Sequence, residues 1–288
     1  MKRAHPIAGF IVVPLIFGAM QAAIAAEPEN LIMARSGDLP ILLTVPHGGS
    51  EGVPGVRMRT RGVTSTDAYT IELAQALAKN LATILGGEPY MVAARFSRKH
   101  IDANRPESEA IDAPDAKPPY DAYHNQVRLF VRQIKARFPP GAVLLDIHGQ
   151  AGEPGVLHRG TQNGATVAAL VRNHGAAALT GPASIFGAIH SRGYKVFPPN
   201  TPINDPPEDR RYNGGYTVRT YGSGTADGLD AIQLEVGRDL RTDARFIAAL
   251  AEAVADFYKA FLPSGLPRRA DAGGLIVAPP MLKSARAP

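Results

Sequence analysis

The chain has 288 residues, 45% hydrophobic and 20% charged, a balance suited to one sizeable folded domain and unlike that of a disordered protein. It contains no Cys, which excludes disulfides, thiolate metal sites and a cysteine nucleophile, and leaves His, Asp and Glu to hold any metal. The formal charge of +5 sits at the two ends, on Lys2 and Arg3 and on Arg268, Arg269, Lys283 and Arg286 against Asp271. The near-neutral body between them excludes a broad basic nucleic-acid surface.

From the N-terminus, Lys2-Arg3, an apolar run from Ile7 to Met20 and the small residues Ala23-Ile24-Ala25 predict a signal peptide over residues 1–25. The run is short for a membrane span and is interrupted by Pro14, so we expect cleavage, no stable span afterwards, and a periplasmic or secreted protein. A single domain is expected over 30–262, followed by a disordered Pro-, Gly- and Ala-rich tail over 263–288. Within the domain, Ile41–Val45 reads as a buried strand and Asp67–Leu85 as a helix ended by Gly86-Gly87. A strand over Tyr90–Phe96 precedes a loop-rich stretch, Glu107–Pro119, and a helix over Tyr120–Phe138 that stops at Pro139-Pro140-Gly141. The aliphatic run Ala142–Ile147 predicts a third strand. Helical spacing recurs over Ala165–Arg172 and Ala183–Arg192, and a Gly-, Pro-, Asp- and Arg-rich segment fills Pro198–Gly228. Within it, the Gly214-Gly215 pair reads locally as a hairpin turn, with a substrate lid as the other reading. A strand over Ala231–Val236 and a strongly periodic helix over Thr242–Phe261 close the domain. Strands alternating with helices predict an α/β fold with a mostly parallel or mixed central sheet and helices on both faces. In such sheets ligands bind beyond the carboxyl ends of the strands.

The chemistry-bearing residues fall at those ends. His47 follows the first strand in Pro46-His47-Gly48-Gly49, and His148 ends the third in Asp146-Ile147-His148. Asp146 and His148 are two apart on a strand and share a face, so Asp146 is placed to orient the imidazole. Two strand-end imidazoles can converge on one cation, with Asp67 or Glu51 as the carboxylate ligand; local pattern does not separate the two. The polar run Phe96–Pro106 offers Arg98, Asn104 and Arg105 for anion binding and oxyanion stabilisation. Glu235 shares a strand face with Gln233 and is the candidate proton acceptor. Arg219 and Tyr221 in the late loop are candidate substrate contacts.

These motifs, in this order, make the sequence resemble the N-formylglutamate amidohydrolase family from about Pro40 to Leu240: Pro46-His47-Gly48-Gly49, Thr66-Asp67, Ile101-Asp102-Ala103-Asn104-Arg105-Pro106, Asp146-Ile147-His148, Arg219-Thr220-Tyr221-Gly222 and Gln233-Leu234-Glu235. The resemblance implies a phosphorylase/hydrolase-like, zinc-carboxypeptidase-like α/β fold and a zinc-dependent amidohydrolase. It favours Asp67 over Glu51, giving His47, Asp67 and His148 as zinc ligands. It further implies Glu235, Arg105 and Asn104 as catalytic residues, and Arg98, Arg219 and Tyr221 on a small carboxylate-bearing substrate. Two alternatives stand beside it: a periplasmic carboxypeptidase or amidase acting on peptidoglycan or glutamyl peptides, and a catalytically inactive anion-binding module.

Overall fold

A computed structural model describes residues 27–139, 141–200 and 205–262. The signal-peptide and tail expectations lie outside the described residues. Seven strands form one sheet: β1 (Ile32–Arg35), β2 (Ile41–Val45), β3 (Tyr90–Ala94), β4 (Val143–Gln150), β5 (Val156–Gly160), β6 (Lys195–Phe197) and β7 (Asp230–Gly237). Their spatial order is β1-β3-β2-β4-β7-β5-β6. The centre, β3-β2-β4-β7, is parallel, whereas β1 joins β3 and β5 joins β7 antiparallel, so the sheet is mixed.

The helices are α1 (Thr70–Leu85), α2 (Glu107–Ala110), α3 (Lys117–Arg137), α4 (Ala168–His174), α5 (Ala177–Thr180), α6 (Ile185–Ser191), α7 (Tyr216–Tyr221) and α8 (Ala244–Phe261). The central strands are buried on both faces, which is why they read as continuous aliphatic runs. Alternate residues serve two cores. Ile41, Leu43, Leu145 and Ile232 pack with α1, α6 and α8. Leu42, Leu144 and Ala231 pack with α3 and α7. Helices therefore cover both faces of the sheet, as the residue pattern predicts. No helix among the described residues is long and apolar enough to cross a membrane.

Three departures from the sequence reading have physical reasons. The Glu107–Pro119 stretch folds into α2, a 3-10 turn (Pro114–Ala116) and the first residues of α3. Its prolines occupy first-turn positions, where a missing N–H costs nothing. The segment around Gly214-Gly215 is not a hairpin: Tyr216–Tyr221 is a helical turn that buries Val218 and Tyr221. Strands β1, β5 and β6 escaped detection because they are edge or near-edge strands of three to five residues with few aliphatics.

Candidate active site

The carboxyl ends of β2, β3, β4 and β7 open into one cavity of about 590 Å³, lined by His47, Asp67, Arg98, Asn104, Arg105, His148, Arg219 and Glu235, among others. His47 leaves β2 just before the chain turns back. A Cβ at Gly49 would lie 2.3 Å from the Arg95 carbonyl oxygen, so this glycine serves the packing of the turn on the end of β3 rather than ligand approach. The amide of Asp67 donates to the His47 carbonyl at 3.0 Å, which pins the carboxylate beside the imidazole before α1 begins.

Three side-chain atoms meet there. His47 Nδ1 and His148 Nδ1 are 3.2 Å apart. Asp67 Oδ2 lies 3.3 Å from His148 Nδ1 and 3.5 Å from His47 Nδ1. Ligands about 2.0–2.1 Å from a tetrahedral cation are themselves separated by about 3.3–3.4 Å, so the spacing fits a shared ion. The far side of each ring supports the same reading. His47 Nε2 is 2.6 Å from Asp102 Oδ1, and His148 Nε2 is 2.9 Å from Asp146 Oδ2. Each carboxylate accepts the Nε2 proton and leaves the Nδ1 lone pair facing the cluster. With no metal bound, ring protons at Nδ1 supply the positive charge that Asp67 accepts; a shared cation would replace those protons. The donor set, two imidazoles and a carboxylate, suits zinc.

The surrounding field is set up for a cation. Burial works to lower the pKa of His148, but Asp146 and Asp67 outweigh it and push the imidazole well above its usual value. Burial likewise works to raise the Asp67 carboxyl, yet hydrogen bonds with His148 and His47 hold it well below the usual carboxylate range. Asp102 is held low by His47, Arg98 and Arg105 despite its burial. Thr44 donates to Asp146 Oδ1 at 2.7 Å, completing the support of the second ring. Replacing Asp102 by Asn should lower cation affinity by about 10–100-fold with the fold intact, checked by zinc titration calorimetry.

Glu235 stands on the strand next to His148, with which it is in register across β4 and β7. Burial raises its pKa to about 7, against the lowering influence of a charged His148. Gln233 donates to its Oε1 at 2.9 Å and accepts the Gly215 amide at 2.7 Å, so one side chain fixes the carboxylate and the start of α7. Neither Arg238 nor Arg241 forms a salt bridge with Glu235. Arg238 pairs with Asp239. Arg241 is buried and donates to the carbonyls of Val236, Ala68 and Gln150, tying the ends of β7 and β4 to the segment that carries Asp67. A Cβ on Gly149 would come within 2.6 Å of this guanidinium, so glycine is what lets Arg241 cross β4.

The remaining predicted residues divide. Asn104 accepts the Thr217 amide at 2.7 Å and points its Nδ2 to within 3.2 Å of His148 Nε2. Arg105 is part-exposed at the rim, with Nη1 on the Asn104 carbonyl at 2.8 Å. Arg98 is buried and committed to Asp102 at 3.0 Å, so it braces the His47 partner rather than standing ready for substrate. Arg219 is exposed at the mouth. Tyr221 does not line the cavity. It faces the α3 core, its hydroxyl 2.9 Å from His124 Nδ1, because the helical turn of α7 rotates it inward. Glu51 pairs with Arg95 at 2.6 Å and takes no part in the cluster. The role of Asp102, and the cavity contributions of Arg210 and Arg211, were not assigned from sequence. The polar run Asp209–Tyr212 was the available signal.

Fold and site together define an α/β protein in which two histidines and one carboxylate could hold a cation beside a buried glutamate, at the carboxyl edge of the sheet's parallel centre. No protein-family model and no curated protein matches the sequence. Among solved structures, the fold is similar to that of N-formylglutamate amidohydrolase from Ralstonia eutropha JMP134, with a TM-score of 0.55 at 18% identity, covering 79% of this chain and 98% of that one. It is also similar to a gene product from Agrobacterium tumefaciens, with a TM-score of 0.54 at 17% identity, covering 82% of this chain and 95% of that one. The fold resemblance read from the motifs is thus found again in three dimensions.

Proposed function

We propose that this chain is a metal-dependent hydrolase that cleaves an amide bond in an N-acyl amino acid or short peptide bearing a free carboxylate, with zinc as the cation. The observation that carries this reading is the meeting of His47 Nδ1, His148 Nδ1 and Asp67 Oδ2 at 3.2–3.5 Å, with Glu235 on the adjoining strand. A zinc ion bound by those three residues supplies Lewis-acid chemistry, polarising a carbonyl oxygen and acidifying a water.

The protein's own groups supply the rest. Glu235 takes a proton from the attacking water onto its carboxylate and passes it to the leaving amine nitrogen. Its raised pKa, about 7, suits both transfers near neutrality. Asn104 and Arg105 provide N–H donors on the cavity wall for the developing oxyanion. Arg219 and Arg210 present guanidinium groups to a substrate carboxylate at the mouth. The structural neighbour's name, N-formylglutamate amidohydrolase, accords with this chemistry.

The cavity, about 590 Å³, lies within the ~300–1,000 Å³ range of pockets for drug-sized ligands, which favours acyl groups larger than formyl and short peptides as a second reading of the substrate. Turnover of N-formyl amino acids, larger N-acyl amino acids and glutamyl or muramyl peptides by the zinc-loaded protein, before and after chelation, tests both readings. Chelation should abolish hydrolysis and zinc should restore it; activity indifferent to chelation contradicts the proposal. Arg219→Ala should raise KM about ten- to hundredfold with kcat nearly kept, the signature of lost binding that is equal in ground and transition states. Steady-state kinetics with an acidic substrate measure it.

A further inference from the structure

One buried polar group has no part in the chemistry above. His158 on β5 is in register with Glu235 across β5 and β7, just as Glu235 is in register with His148. Its side chain is 1% exposed and packs edge-on against Tyr212 at 4.7 Å and, tilted, against Phe197 at 5.2 Å. Neither ring nitrogen makes a hydrogen bond. For a side chain this buried that is an unusual condition, because imidazole nitrogens withdrawn from water are ordinarily satisfied. Nε2 lies 3.4 Å from a carboxylate oxygen of Glu153, in the turn between β4 and β5. Asp209, in the segment leading to α7, completes a group whose ligand atoms all lie within 4.8 Å of one another.

We propose that Glu153, His158 and Asp209 form a second divalent-cation site, separate from the His47–Asp67–His148 cluster and suited to a transition ion such as zinc. An imidazole among the donors favours zinc, nickel or copper over magnesium and calcium, which take oxygen ligands. Burial keeps the His158 pKa low, so its lone pair is available at neutral pH. The competitor is Arg211, which holds both oxygens of Asp209. The Arg211 side chain is 64% exposed, and ion pairs with an exposed partner are weakly held, so a dication can displace it. The ligand atoms are more widely spaced than in the first cluster, so binding requires the part-exposed Glu153 to close in, and this site is the weaker of the two. An ion here ties the β4–β5 turn and the segment ahead of Arg210, Arg211 and Tyr212 to β5. Those three residues line the catalytic cavity, so the ion orders its wall beside Glu235.

Zinc titration calorimetry of the chelator-stripped, untagged protein tests this. The wild type should take up two equivalents of zinc with distinct affinities. His158→Ala and Glu153→Gln should each lose the weaker equivalent and keep the tighter one. Glu153 is part-exposed, so its variant reports even where removal of the buried ring perturbs folding. A single equivalent in the wild type, or two retained in both variants, overturns the proposal. Loss of the tighter equivalent belongs to the first cluster and is read separately in His148→Ala, so the two sites fail distinguishably.

Discussion

Replacing Glu235 by Gln is expected to lower kcat by about 10²–10⁴-fold while zinc uptake at the His47–Asp67–His148 cluster stays unchanged. Glu235 contributes no atom to that cluster, yet it borders the same cavity. Gln keeps the shape and an oxygen for the Gln233 donor, so the variant loses a proton acceptor and little else. The pH profile carries the same information. The base form of Glu235 is the active one, so kcat/KM should rise with pH on its acid limb. Burial sets the carboxyl at about 7, and a neighbouring dication favours the carboxylate, so the limb of the loaded protein lies at or below that value. Unchanged turnover in the variant would remove Glu235 from the mechanism.

The second large effect is expected for His148→Ala. Removing a direct ligand should cost more zinc affinity than the ~10–100-fold typical of an orienting carboxylate, and hydrolysis should fall to background. His148 also separates Asp67 from Asp146, both buried. Without the ring they face each other across a void, and the metal-free protein should lose about 3–5 kcal/mol of stability. Thermal unfolding with and without zinc resolves the two contributions. Zinc should stabilise the wild type much more than the variant, which keeps only the weaker Glu153–His158–Asp209 site. Glu51→Ala serves as the contrast, since its carboxylate pairs with Arg95 outside the cluster; it should bind zinc and turn over as the wild type does.

What the residue pattern disclosed, and what it hid, follows from physics. Strands β2, β3, β4 and β7 were legible because burial on both faces demands unbroken aliphatic runs, and α1, α3 and α8 because one apolar stripe repeats at helical spacing. His47 and His148 stood out because each follows such a run, where polar side chains are costly without a purpose. The pairing of Asp146 with His148 was readable from the two-residue period of a strand. The pairing of Asp102 with His47 was not, because it joins the end of β2 to the loop after β3 across 55 residues and depends on strand order. Tyr221 misled for a local reason: polar and aromatic residues near glycines resemble a lid, and only the helical turn of α7 shows which side faces the core. The role of Arg241 was hidden for another reason: its bonds go to three backbone carbonyls, which have no sequence signature.

The central claim is that one cation joins His47, Asp67 and His148. Anomalous diffraction at the zinc edge, from crystals of the zinc-loaded protein, tests it most directly. The account predicts a strong peak within about 2.0–2.2 Å of Nδ1 of both imidazoles and of the Asp67 carboxylate. Density for all three side chains with no peak between them, at saturating zinc, would contradict it.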